Sequence, residues 1–154
     1  MIELDIPGRG PLQLAHAVFD VNGTLAFDGT LLLGVAERIA ALRERLNVHM
    51  LTADTHGRQT SIDAVLGFRA TIITRGAAEK AAYVLTLGAD QVVALGNGAN
   101  DRSMMQAAVL GIAVLGSEGL AVSALTAADV VVPSISDALD LLLNPRRLVA
   151  TLRY

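Results

Sequence analysis

The chain contains no cysteine, which excludes disulfide bonds and thiolate metal sites. It has no tryptophan, and aromatic residues reach only 3% against 53% hydrophobic residues. The interior must therefore be assembled from Ala, Val, Leu and Ile. That composition favours helices layered on a buried parallel sheet over an aromatic-lined binding module. An excess of positive charge is also missing. The formal net charge is -3, so there is no electrostatic footprint for nucleic acid. No uninterrupted apolar run reaches the roughly 18 residues that would cross a bilayer, and no membrane partner is expected. Met1-Ile2-Glu3-Leu4-Asp5 lacks a basic stretch leading into an apolar one, so no signal peptide is expected and the reading is cytoplasmic. The mean hydropathy of +0.51 is high for a soluble monomer. A homo-oligomer, a tetramer among the options, is expected to cover some of the apolar surface.

What is present is a regular alternation of short apolar runs with longer helical ones, with no linker or repeat between them. Ile2–Ile6 and Leu12–Ala15 flank Pro7-Gly8-Arg9-Gly10-Pro11 and read as a small N-terminal β-hairpin at the sheet edge. Strands are expected at Ala17–Val21, Val48–Leu51, Ala70–Ile73, Val92–Leu95, Ile112–Leu115 and Val130–Val132. Helices are expected at Val35–Leu46, Arg58–Leu66, Ala77–Leu87, Asp101–Val109, Leu120–Ala127 and Ile135–Leu143, with Pro145 opening a last one. The β-α rhythm predicts a doubly wound, Rossmann-like α/β fold with a parallel sheet flanked by helices. In such sheets, sites lie beyond the carboxyl ends of the strands, and the polar clusters of this chain fall there.

Four clusters stand out, and each has a plain structural reading. Asp20 ends an apolar strand in Val18-Phe19-Asp20-Val21-Asn22-Gly23-Thr24; an Asx turn would explain it alone. Thr52 closes the strand His49-Met50-Leu51 and could cap the next helix. Lys80 is the only lysine, the other basic residues being arginine, and a solvated helix position would suit it. Gly96-Asn97-Gly98-Ala99-Asn100-Asp101 reads as a tight turn before a helix that Asn100 or Asp101 caps. The turn accounts for one polar residue but poorly for three in this order.

Taken together, the four clusters resemble the motif series of the haloacid dehalogenase superfamily: Asp-x-x-Gly-Thr, a strand-end Thr, a Lys, then Gly-x-Gly-x-Asn-Asp. The resemblance runs from about Ala17 to Val132. It is nearest to soluble proteins similar to the phosphorylation domain of P-type ATPases, and the last motif is also similar to that of phosphoserine-phosphatase-like enzymes. It implies a single core domain over residues 1–154 and a Mg²⁺-dependent phosphatase in which Asp20 takes the phosphoryl group as an aspartyl phosphate. The implied catalytic set is Asp20, Asn22, Thr52 and Lys80. Phosphate contacts would come from Asp20, Gly23, Thr24, Thr52, Ala53, Lys80 and Asn100. Mg²⁺ would be held by Asp20, the Asn22 carbonyl and Asn97, with Asp101 holding a metal-bound water or orienting Lys80.

Two departures from the family pattern bear on activity. Asn22 stands where the family's phosphatases usually carry a second Asp that protonates the leaving group and activates water. An amide does neither, and general acid–base help is typically worth about 10²–10⁴-fold. Asn97 stands where the last motif usually begins with Asp, so a metal ligand loses its charge. The implied phosphohydrolase or phosphotransferase is then slow, and the alternative is a weak or inactive phosphate-binding or regulatory protein on the same scaffold. No lid fits between Thr24 and Thr52 or between Thr52 and Lys80, so no cap domain is expected. The substrate would be a small or macromolecular phosphorylated compound, and the resemblance to capless relatives implies that a large substrate or a neighbouring subunit closes the site. His16, His49 and His56 show no metal-ligand spacing. Asp28 and Asp54 lie near the mapped loops and could supply the carboxylate that position 22 lacks; for Asp54 a helix cap is the simpler role.

Overall fold

A computed structural model describes residues 1–154. Its centre is a six-stranded parallel sheet. In chain order the strands of the whole chain are β1 (Ile2–Ile6), β2 (Gly10–Leu14), β3 (His16–Asp20), β4 (Ala26–Phe27), β5 (Thr30–Leu31), β6 (Asn47–Thr52), β7 (Thr71–Ile72), β8 (Val92–Gly96), β9 (Leu110–Val114) and β10 (Val130–Val132). The helices are α1 (Val35–Arg43), α2 (Gln59–Leu66), α3 (Ala77–Thr86), α4 (Arg102–Ala107), α5 (Val122–Leu125), α6 (Ile135–Leu143) and α7 (Pro145–Leu152). The sheet order is β10-β9-β8-β3-β6-β7, which puts β3 between β8 and β6. No separate cap domain is present, and no helix is long and apolar enough to cross a membrane.

Period-two alternation divides each buried strand between two cores. On β3, Ala17 and Phe19 face the core shared with α1, α2, α6 and α7, while Val18 faces the core shared with α3, α4 and α5. On β8 the same split sends Val93 and Leu95 one way and Val92 and Ala94 the other. Both faces of the sheet are covered, which is why these strands read as continuous apolar runs. Helix boundaries follow local chemistry. Gly67 ends α2 in the left-handed conformation, at φ 75, that a Cβ would disfavour. Ser134 starts α6 by accepting the Asp137 amide at 3.1 Å.

The hairpin expected at the sheet edge is instead a separate two-stranded sheet, β1 with β2. It lies under the amino end of β3, where Ala15 bonds the Gln91 carbonyl and accepts the Asn47 amide. Ile2, Leu4, Ile6, Leu12 and Leu14 are buried in the chain's own core, and Glu3, Asp5 and Gln13 face outward. The apolar face of the hairpin is thus covered by the chain itself. Helices α1, α4 and α5 are shorter than expected; Val122–Leu125 is a single turn within the expected Leu120–Ala127. A second small hairpin, β4 with β5, was not expected at all and stands beside the carboxyl end of β3.

Candidate active site

The side chain that matters most is placed by strand alternation. Two residues after Val18, Asp20 shares its face, the one covered by α3, and Lys80 projects from α3. Lys80 and Val84, one turn apart, are the buried positions of that helix. The Lys80 ammonium donates to Asp20 Oδ1 at 2.6 Å and to Asp101 Oδ1 at 2.7 Å. With a relative exposure of 2%, it occupies the opposite of a solvated helix position. Asp101 is fully buried, and its other oxygen accepts the backbone amides of Asn97 (3.1 Å) and Gly98 (2.9 Å). Gly96 makes this possible, because a Cβ there would stand 2.5 Å from the Asp101 carboxyl carbon. Both oxygens of Asp101 are therefore engaged, one of them in orienting Lys80.

Asp20 Oδ2 points the other way. The Thr24 hydroxyl lies 3.3 Å from it and 3.2 Å from Asn97 Oδ1, and that hydroxyl has one proton to give. Two acceptors thus converge on a single donor. The triad of Asp20, Asp101 and Lys80 also carries one net negative charge in a buried place. Burial, together with the Asp101 carboxylate, pushes the Asp20 carboxyl up to about 7 against the pull of Lys80 and Thr24. Lys80 is held above its ordinary value; burial alone would lower it, but Asp20 and Asp101 outweigh that effect. A divalent cation between Asp20 Oδ2 and Asn97 Oδ1 would satisfy both acceptors and reverse the excess charge, so the donor set fits a hard, oxygen-seeking ion.

The remaining expected residues are distributed unevenly. Asn22 donates its amide to the Thr52 hydroxyl at 3.3 Å, and Thr52 also accepts the Asp54 amide at 2.9 Å. Gly23 sits at φ 83 under Asn97, whose amide nitrogen would be 2.5 Å from a Cβ. Ala53 is exposed in the loop after β6, and Asn100 is exposed with its side-chain oxygen folded over Gly98. Neither side chain joins the bonded group. Asp54 accepts the Gln59 amide at 3.0 Å, the helix-capping role that was the simpler reading. His16 and His49 bond each other at 3.1 Å, and His49 reaches the Tyr83 hydroxyl at 3.0 Å, on the α3 face of the sheet.

The mouth of the site is built from three loops. The tip of the β4–β5 hairpin carries Asp28, a non-glycine residue at φ 49. The loop after β6 carries His56, and the loop after β9 carries Glu118. The ligand atoms of these three exposed side chains lie within 4.8 Å of one another. The sequence offers Asp28 as a possible site acid, but it gives His56 no metal-ligand spacing and leaves no signal for Glu118. A cleft of about 480 Å³ opens beside them, lined among others by Gly23, Thr24, Phe27, Leu33 and Glu118.

A parallel doubly wound sheet with an acid, a hydroxyl and a buried lysine at its carboxyl ends defines a class, and comparison with known proteins identifies it. Residues 75–138 match the haloacid dehalogenase-like hydrolase family. Over 63 residues the chain is 49% identical to an uncharacterised protein of Methanocaldococcus jannaschii, a match covering 41% of this chain and 68% of that protein. The chain belongs to the haloacid dehalogenase-like family. Its fold is also that of the cobalt-bound deoxy-D-mannose-octulosonate 8-phosphate phosphatase of Haemophilus influenzae, at TM-score 0.72 and 16% identity over 92% of this chain and 94% of that one. The 3-deoxy-D-manno-octulosonate 8-phosphate phosphatase of Moraxella catarrhalis, solved with magnesium, phosphate and its sugar acid, superposes at TM-score 0.64 and 16% identity, covering 91% and 94% of the two chains.

Proposed function

We propose that this protein is a Mg²⁺-dependent phosphohydrolase or phosphotransferase that works through an aspartyl phosphate on Asp20, within one core domain spanning residues 1–154. The observation that carries the reading is Lys80, buried and shared between Asp20 and Asp101. A lysine held this way keeps Asp20 oriented and offers positive charge where phosphoryl oxygens gather. The convergence of Asp20 Oδ2 and Asn97 Oδ1 supports the metal, and the two structural neighbours were solved with cobalt and with magnesium.

In this reading an Asp20 oxygen attacks phosphorus, the P–O bond to the leaving group breaks, and that group departs with the bonding electron pair. Water or a second acceptor then attacks phosphorus and frees Asp20. Thr52, Lys80 and the backbone amides of Ala53 and Asn100 bind the transferring oxygens, the Gly23 and Thr24 amides being given to the Ala26 and Val21 carbonyls. The Asn22 carbonyl joins Asp20 and Asn97 in holding Mg²⁺, which when bound screens the repulsion between carboxylate and phosphate. Asp101, with both oxygens engaged, positions Lys80. No group at position 22 can pass a proton to the leaving group, so turnover is slow. Phosphorylated small molecules are the substrate class the open cleft accommodates. A homo-oligomer, tetramers included, would draw on the exposed Leu32 and Leu33 beside that cleft. Sedimentation at micromolar concentration tests it, and a monomer ends that part of the reading.

The alternative is a phosphate-binding or regulatory protein with little or no turnover. Asn22 favours it, since its amide is turned onto Thr52 and carries no titrating proton. The deciding experiment is turnover of acetyl phosphate or p-nitrophenyl phosphate with Mg²⁺, compared between wild type and Asp20→Asn. Loss of turnover in the variant supports the enzyme. No turnover in either protein, with phosphate still bound, supports the alternative.

A further inference from the structure

The amide at position 97 has two jobs, and one of them concerns a different residue. Its Oδ1 faces the Thr24 hydroxyl and the proposed cation position, while its Nδ2 donates to the Gly119 carbonyl at 3.1 Å. The Asn97 carbonyl accepts the Ala121 amide at 2.9 Å. Asn97 is therefore tied by two bonds to the loop after β9. A carboxylate at 97 could not make the first of them, because it has no proton to donate. The loop is wound tightly, with the Gly119 amide on the Gly116 carbonyl at 3.0 Å, and it carries Glu118.

Gly23 shows where the Glu118 carboxylate goes. A Cβ on Gly23 would stand 2.5 Å from Glu118 Oε2 and 2.5 Å from Asn97 Nδ2. The carboxylate and the amide are thus at most twice that distance apart, on the side of Asn97 that faces Gly23 and Thr24. The other oxygen, Oε1, lies 3.5 Å from the Asp28 amide. Backbone without a side chain at 23 is what leaves room for this approach.

We propose that Glu118 supplies the negative charge that Asn97 does not, so that the cation site keeps a second carboxylate, brought in from the loop after β9 rather than from the end of β8. The inference rests on the metal reading above. The amide at 97 and the acid at 118 then form one device: the amide anchors the loop that delivers the acid. A carboxylate beside a metal-binding side chain, acting from outside the ligand shell, is worth roughly a factor of ten in metal affinity.

The test is Mg²⁺ affinity by calorimetry, with no turnover required, on the full chain. Glu118→Gln is expected to bind Mg²⁺ about tenfold more weakly than wild type, and Asn97→Asp in the Glu118→Gln background to recover most of that loss. Asp20→Asn separates the two levels of argument. If it leaves Mg²⁺ binding untouched, the metal reading itself fails. If it abolishes binding while Glu118→Gln binds as wild type does, the metal reading stands and the Glu118 assignment is overturned. His56→Ala is expected to change nothing; a loss equal to that of Glu118→Gln would move the cation out to Asp28, His56 and Glu118 and overturn the assignment too.

Discussion

The side-chain amide of Asn22 donates to the hydroxyl of Thr52 across 3.3 Å, joining the loop that follows β3 to the carboxyl end of β6. Asp at position 22 would keep the size of the side chain and add a titrating oxygen there. Asn22→Asp is expected to raise turnover of p-nitrophenyl phosphate by at least about tenfold, a part of the roughly 10²–10⁴-fold that general acid–base help ordinarily contributes. The measurement is kcat under saturating Mg²⁺. Unchanged kcat would place the slow step elsewhere.

Lys80 is the only cation within the buried triad. Replacing it with methionine removes the charge shared by Asp20 and Asp101 while retaining much of the volume. The cost expected for leaving buried carboxylates without their partner is about 3–5 kcal/mol, read from urea unfolding. Part of that loss should return when Mg²⁺ is added, since a metal ion would again offset the two acids. A Lys80→Met protein as stable as wild type would mean that the triad contributes nothing to folding.

The pH response of Asp20 has a definite sign. Its folded-state value, about 7, is above the ordinary 3.8, so the folded metal-free protein holds this proton more tightly than the unfolded chain. The group's contribution to stability is fullest below about 3.8 and declines as pH rises toward 7, by up to about 1.4 kcal/mol per unit. Mg²⁺ competes with that proton. The rise in Tm on adding Mg²⁺ should therefore be larger near pH 8 than near pH 5.5, by about the linkage to one proton. Asp20→Asn supplies the baseline, and an equal Mg²⁺ effect at both pH values would contradict the assignment.

Gly23→Ala tests the backbone of the site. The residue sits at φ 83, and its Cβ would strike both Asn97 and Glu118. Gly57, at φ 64 with open space around it, gives the cost of the conformation alone. Both alanine variants should lose about 1–2 kcal/mol for the left-handed backbone. Gly23→Ala should lose more, and should lose Mg²⁺ binding as well, while Gly57→Ala keeps it. Thermal unfolding with and without Mg²⁺ distinguishes them.

Much of this arrangement is legible in the sequence because it rests on runs of several residues. The apolar strand ending at Asp20, the strand ending at Thr52 and the solitary Lys80 each leave a pattern in the chain. Other parts are not legible. β4 and β5 are two residues each, too short for any periodicity to register. The alternation of β1 and β2 shows that they have one apolar face but not what covers it. Glu118 sits between small residues in a turn, like many surface acids. It comes near Asn97 only because β9 lies next to β8, a tertiary adjacency that no local pattern encodes.

The place of β3 in the sheet has a consequence for motion. It is bonded on both sides, by β8 and by β6, so Asp20 rides on a backbone that cannot open without breaking the middle of the sheet. Asp28, His56 and Glu118 ride on exposed loops with few such bonds. Amide exchange should then divide the site into two regimes, slow at Val18 and Phe19 and fast around Asp28 and Gly57. The reacting groups would stay fixed while the rim breathes, so the rim can adapt to differently shaped leaving groups without disturbing the chemistry beneath it.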